Sequence, residues 1–416
     1  MRRLLLLICL FSLAAISGGA EVYAVNYTGG ALVVNDAGET VLPPGSYQRL
    51  QVLRNDAGQV TGYAAGNYVD GVLKYALLSP AGEALSDCIL TGLWAAGDGF
   101  FAVKDNVFHY VYPSLEVDGA AYSSLTYSGS GKLLSLTGSV FDDVSDSVGI
   151  LDSSGFVFDT GIYTLGSLGR YQEGLLALQD ARSSLFGYLD ADGEWAISPV
   201  YRYAGDFQDG LAIVSGSKGY GVIDKTGASL LPSEYDLILR GDGLFAAIRE
   251  GSLYLMDAAL SETACVPLEG ANALLAGKYA LLSSASATRL LSTSGEVLAA
   301  WDGLVTLSWA GDDALILERD GLYQLVTPQG EALSGEWNLI YSTDGDLLAY
   351  GSRDDSSLRF GLMDANGQTI TPAIYSAIRW VAQDLYCAEI TGGAVLLNAA
   401  GEILNTYSAA EESLSQ

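Results

Sequence analysis

The 416-residue chain contains a single histidine, His109, and this scarcity argues against several kinds of catalytic and metal site. A Ser-His-Asp triad would have to use His109, yet no Gly-x-Ser-x-Gly turn in a strand-to-helix context presents a serine. One histidine is also too few for a histidine-based zinc site. Because His109 lies between Phe108 and Tyr110 in a segment typical of a strand, we assign it a structural or surface role.

Cysteine is also rare, with four residues in the chain. Cys9 lies in the N-terminal apolar run, while Cys88, Cys265 and Cys387 are far apart and show no Cys-x-x-Cys spacing. This pattern disfavours a disulfide scaffold and a zinc site, so we expect no cofactor. We expect buried free thiols, with one disulfide as the alternative if two repeats bring cysteines together.

Basic residues are few as well, with 20 Lys and Arg against 49 Asp and Glu, for a net charge of −29. Such an acidic chain repels phosphate backbones and anionic membranes, so we expect no nucleic-acid partner and no membrane association beyond export. Half of the residues are hydrophobic and 17% are charged. That composition predicts a large folded core.

Long apolar runs are missing, because the run Leu4–Ile16 is shorter than the roughly 20 residues that a spanning helix needs. Two arginines precede this run and small residues follow it, the order found in a secretory signal. We predict a signal peptide over residues 1–24, cleaved after Ala20 or Ala24, and a secreted or cell-envelope location. The last segment, 409–416, is predicted to be a short acidic tail.

A repeated phrase is the main feature that the chain does contain. Phe186-Gly187-Tyr188-Leu189-Asp190 is followed by Gly193 and Tyr201, and Tyr220-Gly221-Val222-Ile223-Asp224 by Gly227 and Tyr235 at the same spacing. Related turns follow at steps of about 36 residues, with glycines at 155, 193 and 227, a degenerate copy near Leu260, and glycines at 295, 330, 367 and 401. A linking phrase such as Asp209-Gly210-Leu211-Ala212 keeps the same period, which indicates tandem repetition.

The local chemistry predicts what each repeat is. Short apolar runs alternate with Gly, Asp, Asn, Ser and Pro, a pattern typical of strands joined by tight turns. In Asp-x-x-Gly the carboxylate can cap backbone amides and glycine supplies a positive φ. We therefore predict an all-β chain of tandem units, each with three or four short antiparallel strands. Residues 25–408 hold ten or eleven units, the poorest between Val111 and Val140.

These phrases resemble the WG-repeat family, also called KWG repeats, of bacterial proteins. The resemblance extends over about residues 145–250 and 355–405, and Phe186, Tyr220 and Phe360 stand where the family prefers tryptophan. It implies tandem β units with an interaction role, and no catalytic residues to carry over. Mutual packing of such sheets predicts a β-propeller-like ring, with an open curved β-solenoid as the alternative.

Three segments have the composition of a ligand site. Asp190-Ala191-Asp192-Gly193-Glu194 has oxygens spaced for calcium, but other copies lack them, so we interpret it and Asp344-Gly345-Asp346 as turns. Ser128-Gly129-Ser130-Gly131-Lys132 lacks the full phosphate-loop spacing and is interpreted as a flexible turn. The tryptophans could stack on sugars or peptides, although aromatic residues in repeat strands are mostly core: Trp94, Trp195, Trp301, Trp309, Trp337 and Trp380.

The sequence predicts a function only as a class. We expect an exported, monomeric, non-enzymatic scaffold that binds a protein, peptide or glycan. The alternative is an extracellular carbohydrate-active hydrolase that uses an acidic pair in a propeller channel. Nothing in the sequence selects catalytic, binding or metal-ligating residues.

Overall fold

The computed structural model describes residues 21–45, 47–55, 57–97, 99–111, 122, 124–127, 133–137, 146–151, 157–164, 170–311, 313–353 and 357–408. All regular structure in these segments is β, with 38 strands in eleven sheets. No helix in this part of the chain could cross a membrane. The predicted signal up to residue 20, Cys9, the Ser128–Lys132 turn, much of the weak Val111–Val140 unit and the tail lie outside the described residues.

Each sheet consists of consecutive antiparallel strands, and we number the sheets in chain order. The first six sheets contain β1 Val22–Tyr27, β2 Gly30–Asn35 and β3 Thr40–Leu42; β4 Arg49–Arg54, β5 Val60–Val69 and β6 Val72–Leu78; β7 Gly92–Ala96, β8 Gly99–Lys104 and β9 Val107–Val111; β10 Ser124–Tyr127, β11 Leu133–Thr137, β12 Asp146–Leu151 and β13 Val157–Thr164; β14 Leu176–Gln179, β15 Phe186–Leu189 and β16 Trp195–Tyr201; β17 Tyr203–Ala204, β18 Leu211–Ser215, β19 Tyr220–Asp224 and β20 Ser229–Tyr235.

The remaining five sheets follow the same plan. They contain β21 Leu237–Arg240, β22 Leu244–Arg249, β23 Ser252–Asp257 and β24 Glu262–Pro267; β25 Asn272–Ala276, β26 Tyr279–Ser283, β27 Ala287–Leu291 and β28 Val297–Asp302; β29 Thr306–Trp309, β30 Leu315–Arg319 and β31 Leu322–Val326; β32 Leu339–Ser342, β33 Leu348–Arg353 and β34 Leu358–Met363; β35 Ala377–Ala382, β36 Leu385–Ile390, β37 Gly393–Leu397 and β38 Ile403–Ser408.

In nine of the eleven sheets the described residues show the predicted turn after one strand, which we call the motif strand, with Asp, Asn, Ser or Thr at the first turn position. After β19, Asp224 Oδ1 accepts the amides of Thr226 at 2.8 Å and Ala228 at 3.0 Å, and Gly227 has φ +83°. Asp364 accepts the amides two and four residues later in the same way, at 2.9 and 2.8 Å. In both copies the aspartate side chain accepts the backbone amides of its own turn. The residue is therefore needed wherever the turn is formed, which explains why the phrase is repeated.

These turns distinguish the two ends of each sheet. We call the end that carries the Asp-x-x-Gly turns the turn face. The link face carries the opposite ends of the motif strands and the segments that connect one sheet to the next. Each repeated turn packs against the sheet before it. A Cβ on Gly227 would lie 3.2 Å from Ile197 of sheet 5, and one on Gly38 would lie 3.1 Å from Leu396 of sheet 11.

The sheets close into a ring. Every pair of consecutive sheets shares a cluster of buried side chains, and one further cluster joins sheet 11 to sheet 1. In this last cluster Val25 and Leu32 of sheet 1 pack with Leu385, Cys387 and Leu396 of sheet 11. The predicted all-β, propeller-like ring is therefore confirmed, and the open solenoid is not formed.

The contact between sheets 11 and 1, which we call the seam, also has a polar part. Glu389 of β36 is buried and accepts a hydrogen bond from the Thr28 hydroxyl at 2.6 Å. Arg379 of β35 donates to Glu389 at 2.7 Å and to the Asn26 carbonyl at 2.9 Å. No peptide bond joins these two sheets, so side chains alone hold the seam.

The cysteines differ in part from the expectation. Cys88, Cys265 and Cys387 are all free thiols, but only Cys387 is buried. Cys265 is exposed because it lies on β24, the outermost strand of sheet 7, where no further sheet covers it. Burial raises the pKa of the Cys387 thiol to about 12. The expectation of buried thiols was thus wrong for Cys265.

Candidate binding surface on the inner side of the ring

Nine sheets begin with a strand that lies on the inner side of the ring. In sheets 1 and 5 the motif strand is the second strand and not the third, so these two sheets lack a strand of this kind among the described residues. First strands of adjacent sheets contact each other directly. The Tyr341 hydroxyl donates to the Ile378 carbonyl at 2.9 Å, and Ser342 Oγ donates to the Trp309 carbonyl at 3.0 Å.

Because sheets arranged in a ring converge toward the axis, the edges that approach each other are the inner ones. The inner strands are β4, β7, β10, β17, β21, β25, β29, β32 and β35. We call their exposed side chains the inner surface.

The inner strands carry no carboxylate, although the chain has 49 acidic residues. Outer strands of comparable exposure do contain them, for example Glu234 in β20, Glu262 in β24 and Asp302 in β28. Carboxylates on converging strands would repel one another at short range, which is one physical reason for their absence. The inner surface is therefore locally free of the negative charge that dominates the chain.

Repulsion does not explain the apolar side chains on this surface. Trp94, Tyr203, Leu237 and Leu274 are between 37% and 55% exposed, on four different inner strands. Exposed apolar side chains that recur on one surface are typical of a recognition site. Polar uncharged side chains accompany them, and Asn272 beside Leu274 is an example.

Four arginines supply all the charge on the inner strands. Arg54, Arg240 and Arg379 are used within the fold, since each donates to a carbonyl or a carboxylate of a neighbouring segment. Arg49 is exposed, and its side chain forms no hydrogen bond or ion pair within the described residues. It is thus the inner-strand cation that is available to a partner.

The six tryptophans have different surroundings. Only Trp94 is exposed, while Trp309 and Trp380 lie half-buried on inner strands. Trp337 packs its ring 4.3 Å from that of Tyr350. Sequence reasoning missed Tyr203, Leu237 and Leu274, because it could not tell which strand of a repeat faces the axis. Exposed and buried residues alternate in the short strand directly before each linking phrase, and this alternation is the signal that would have found these three residues.

Of the two acidic segments predicted to be turns, Asp190–Glu194 follows motif strand β15, whereas Asp344-Gly345-Asp346 joins inner strand β32 to β33. Asp190 Oδ1 accepts the amides of Asp192 at 2.9 Å and Glu194 at 3.0 Å, so it caps its own turn. The described part of the chain contains no group of three side chains placed to hold a metal ion. A hydrogen bond from the Thr226 hydroxyl lowers the pKa of Asp224, which favours its ionised form.

His109 lies on β9, where it pairs with Ala102 of β8. The side chain is half-buried, and its Nδ1 makes no hydrogen bond to a described residue. The structure thus places it within a sheet, away from the inner strands.

Comparison with known proteins gives one family match. Residues 186–215 match the family described as WG containing repeat, and a search of curated proteins finds no match. Among solved structures, BamB from Moraxella catarrhalis is 13% identical, with 66% of this chain and 94% of that chain covered and a TM-score of 0.32. Apo AztD from Citrobacter koseri is 12% identical, with 76% and 93% covered and a TM-score of 0.31.

A structure described as the eukaryotic initiation factor is 10% identical, with 94% of this chain and 96% of that chain covered and a TM-score of 0.41. The matched residues 186–215 run from β15 through β18, and so include the motif strand of sheet 5, its turn and the linking phrase. The chain carries a WG-containing repeat at this position, as the sequence predicted.

Proposed function

We propose that the protein is an exported, monomeric, non-enzymatic scaffold that binds a protein, peptide or glycan on its inner surface. The observation that carries this proposal is a surface of exposed apolar and polar side chains whose only charged residues are arginines, with no carboxylate on its strands, in a chain of net charge −29. Such a surface accepts neutral or weakly acidic partners without the repulsion that the rest of the chain would exert.

The alternative, a carbohydrate hydrolase with an acidic pair in the channel, receives no support from the inner strands. They carry no carboxylate that could act as acid or nucleophile. A hydrogen bond from the Lys225 ammonium lowers the pKa of Glu173, which is the opposite of what a proton donor requires.

Export is part of the proposal, and the first strand of the fold supports cleavage after Ala20. Val22 is buried and begins β1, where Val22, Tyr23 and Ala24 pair with Asn35, Val34 and Val33 of β2. Cleavage after Ala24 would remove half of this strand, whereas cleavage after Ala20 leaves it whole. N-terminal sequencing of the exported protein is expected to begin at Glu21. A mature chain beginning at Val25 would contradict this prediction.

The binding proposal is tested by placing a charge on the inner surface. Leu274, on inner strand β25, is 55% exposed, and Ile403, on outer strand β38, is 57% exposed. Leu274→Asp is expected to weaken binding to partners found by pull-down or glycan array by about tenfold or more, since it puts a charge at the centre of the contact. Ile403→Asp, the matched control, should bind as the unchanged protein does.

Thermal unfolding of both variants checks that the two substitutions affect the fold equally. Equal binding by Leu274→Asp and Ile403→Asp would place the contact elsewhere on the ring. Turnover of a glycan by the unchanged protein would contradict the non-enzymatic assignment.

A further inference from the structure

A second feature of the ring is a cavity on the link face between sheets 6 and 7. Its volume is about 500 Å³, and it is lined by Lys218, Glu234, Asp236, Arg249 and Glu250. That volume is in the range of ligand-binding sites. The cavity is distinct from the inner surface because its charged lining comes from β20 and β22, from the turns before β19 and β23, and from the link after β20.

One cation of this cavity is held firmly by its neighbours. The Arg249 guanidinium lies 5.1 Å from the ring centroids of both Tyr235 and Tyr254, and these two rings pack edge to face at 6.0 Å. Arg249 also lies 3.7 Å from the Glu234 carboxylate. Cation–π contacts with two rings and an ion pair leave Arg249 with little freedom to pair with a further charge.

The other three charges of the cavity are not paired. Lys218, Asp236 and Glu250 form no ion pair with any described residue, although charges of both signs share one cavity. Lys218 comes from the turn between β18 and β19, and Glu250 from the equivalent turn of sheet 7, where its φ is +52°. All three side chains are exposed, and they belong to separate backbone segments that meet at this cavity.

A ligand that neutralises this cavity must itself carry both signs. Because Arg249 and Glu234 pair with each other, an anion alone, such as a phosphate, would face the carboxylates of Asp236 and Glu250, and a cation alone would face Lys218. An apolar ligand would desolvate all the charges without compensation. We infer that this cavity binds the free ends of a short zwitterionic peptide, with its carboxylate at Lys218 and its ammonium group at Asp236 and Glu250.

The test uses trialanine as the zwitterionic probe, with N-acetyl-trialanine and trialanine amide as analogues that each lack one charge. Titration followed by NMR is expected to show saturable binding of trialanine and at least about tenfold weaker binding of each analogue. Analogues that bind as tightly as trialanine, or trialanine that shows no saturable binding at millimolar concentration, would overturn the inference.

Variants locate the binding on the molecule. Lys218→Gln and Asp236→Asn are each expected to weaken trialanine binding by about fivefold or more. Lys278→Gln and Asp242→Asn are the matched controls, because both positions lie on the turn face, and they should bind as the unchanged protein does. Loss of binding in the controls, or none in the two cavity variants, would place the site elsewhere.

Leu274→Asp separates this site from the inner surface. It should leave trialanine binding unchanged even where it abolishes binding of the scaffold's partner. If Leu274→Asp weakens trialanine binding as much as Lys218→Gln does, the peptide binds on the inner surface and the cavity is not its site.

Discussion

Replacement of Glu389 by alanine is expected to open the ring at its seam. Glu389 is 7% exposed, receives hydrogen bonds from Thr28 and Arg379, and lies where no peptide bond joins the sheets. Its removal leaves the Arg379 guanidinium without a carboxylate and the Thr28 hydroxyl without its acceptor. Loss of one partner of a buried pair costs about 3–5 kcal/mol, and the half-exposed Arg379 reduces this to about 2–3 kcal/mol.

Cys387 reports this opening directly. Its thiol lies in the seam cluster, and burial raises its pKa to about 12, so the closed ring protects it from alkylation. In a Cys88→Ser, Cys265→Ser background without residues 1–20, Glu389→Ala should raise the rate of Cys387 labelling about 30- to 140-fold, as expected for a seam weakened by about 2–3 kcal/mol.

Glu318→Ala is the matched control for the seam. Glu318 lies three residues before Gly321 on β30, as Glu389 lies three residues before Gly392 on β36, but a continuous chain joins sheet 9 to both of its neighbours. This variant should label at the unchanged rate. Equal rates in Glu389→Ala and the unchanged protein would show that apolar packing alone holds the seam.

Replacement of Gly367 by alanine is the other substitution with a large expected effect. Gly367 has φ +81°, and a Cβ at this position would overlap the Leu333 carbonyl oxygen of the preceding unit. The left-handed conformation costs alanine about 1 kcal/mol, and the overlap pushes apart the main chains of two units. Together these effects should lower the free energy of unfolding by about 3–5 kcal/mol.

Gly321 provides the control for backbone conformation alone. Its φ is +78°, yet a Cβ there would meet nothing within 4 Å. Gly321→Ala should therefore cost only about 1 kcal/mol in urea denaturation. If Gly367→Ala costs no more than Gly321→Ala, the repeated turns do not carry the contact between successive units.

Gly367 illustrates how the repeat phrase acts in the fold. Its aspartate and glycine shape a turn, and the same glycine also allows that turn to approach the previous sheet. Residues that vary between copies, such as Lys218, Arg249 and Leu274, do not shape the turn and can form the binding surfaces. A substitution in the shared positions should therefore affect stability, and one in the variable positions should affect binding.

The sequence by itself determined the strands, the turns and the period of the repeat. These features depend on interactions within a few residues, such as Asp224 with the amides of Thr226 and Ala228, so a local pattern predicts them. The interpretation of Asp190 as a turn residue followed from the same comparison of copies, as its hydrogen bonds show.

Only the tertiary structure decided that the ring closes, which strands face the axis and which charges share a cavity. Closure depends on Thr28 and Arg379 meeting Glu389, residues that belong to no shared phrase and are as far as 361 positions apart. The inner surface depends on which edge of each sheet meets its neighbour, and no single repeat encodes that edge. Packing between sheets creates these sites, so their residues carry no common local pattern.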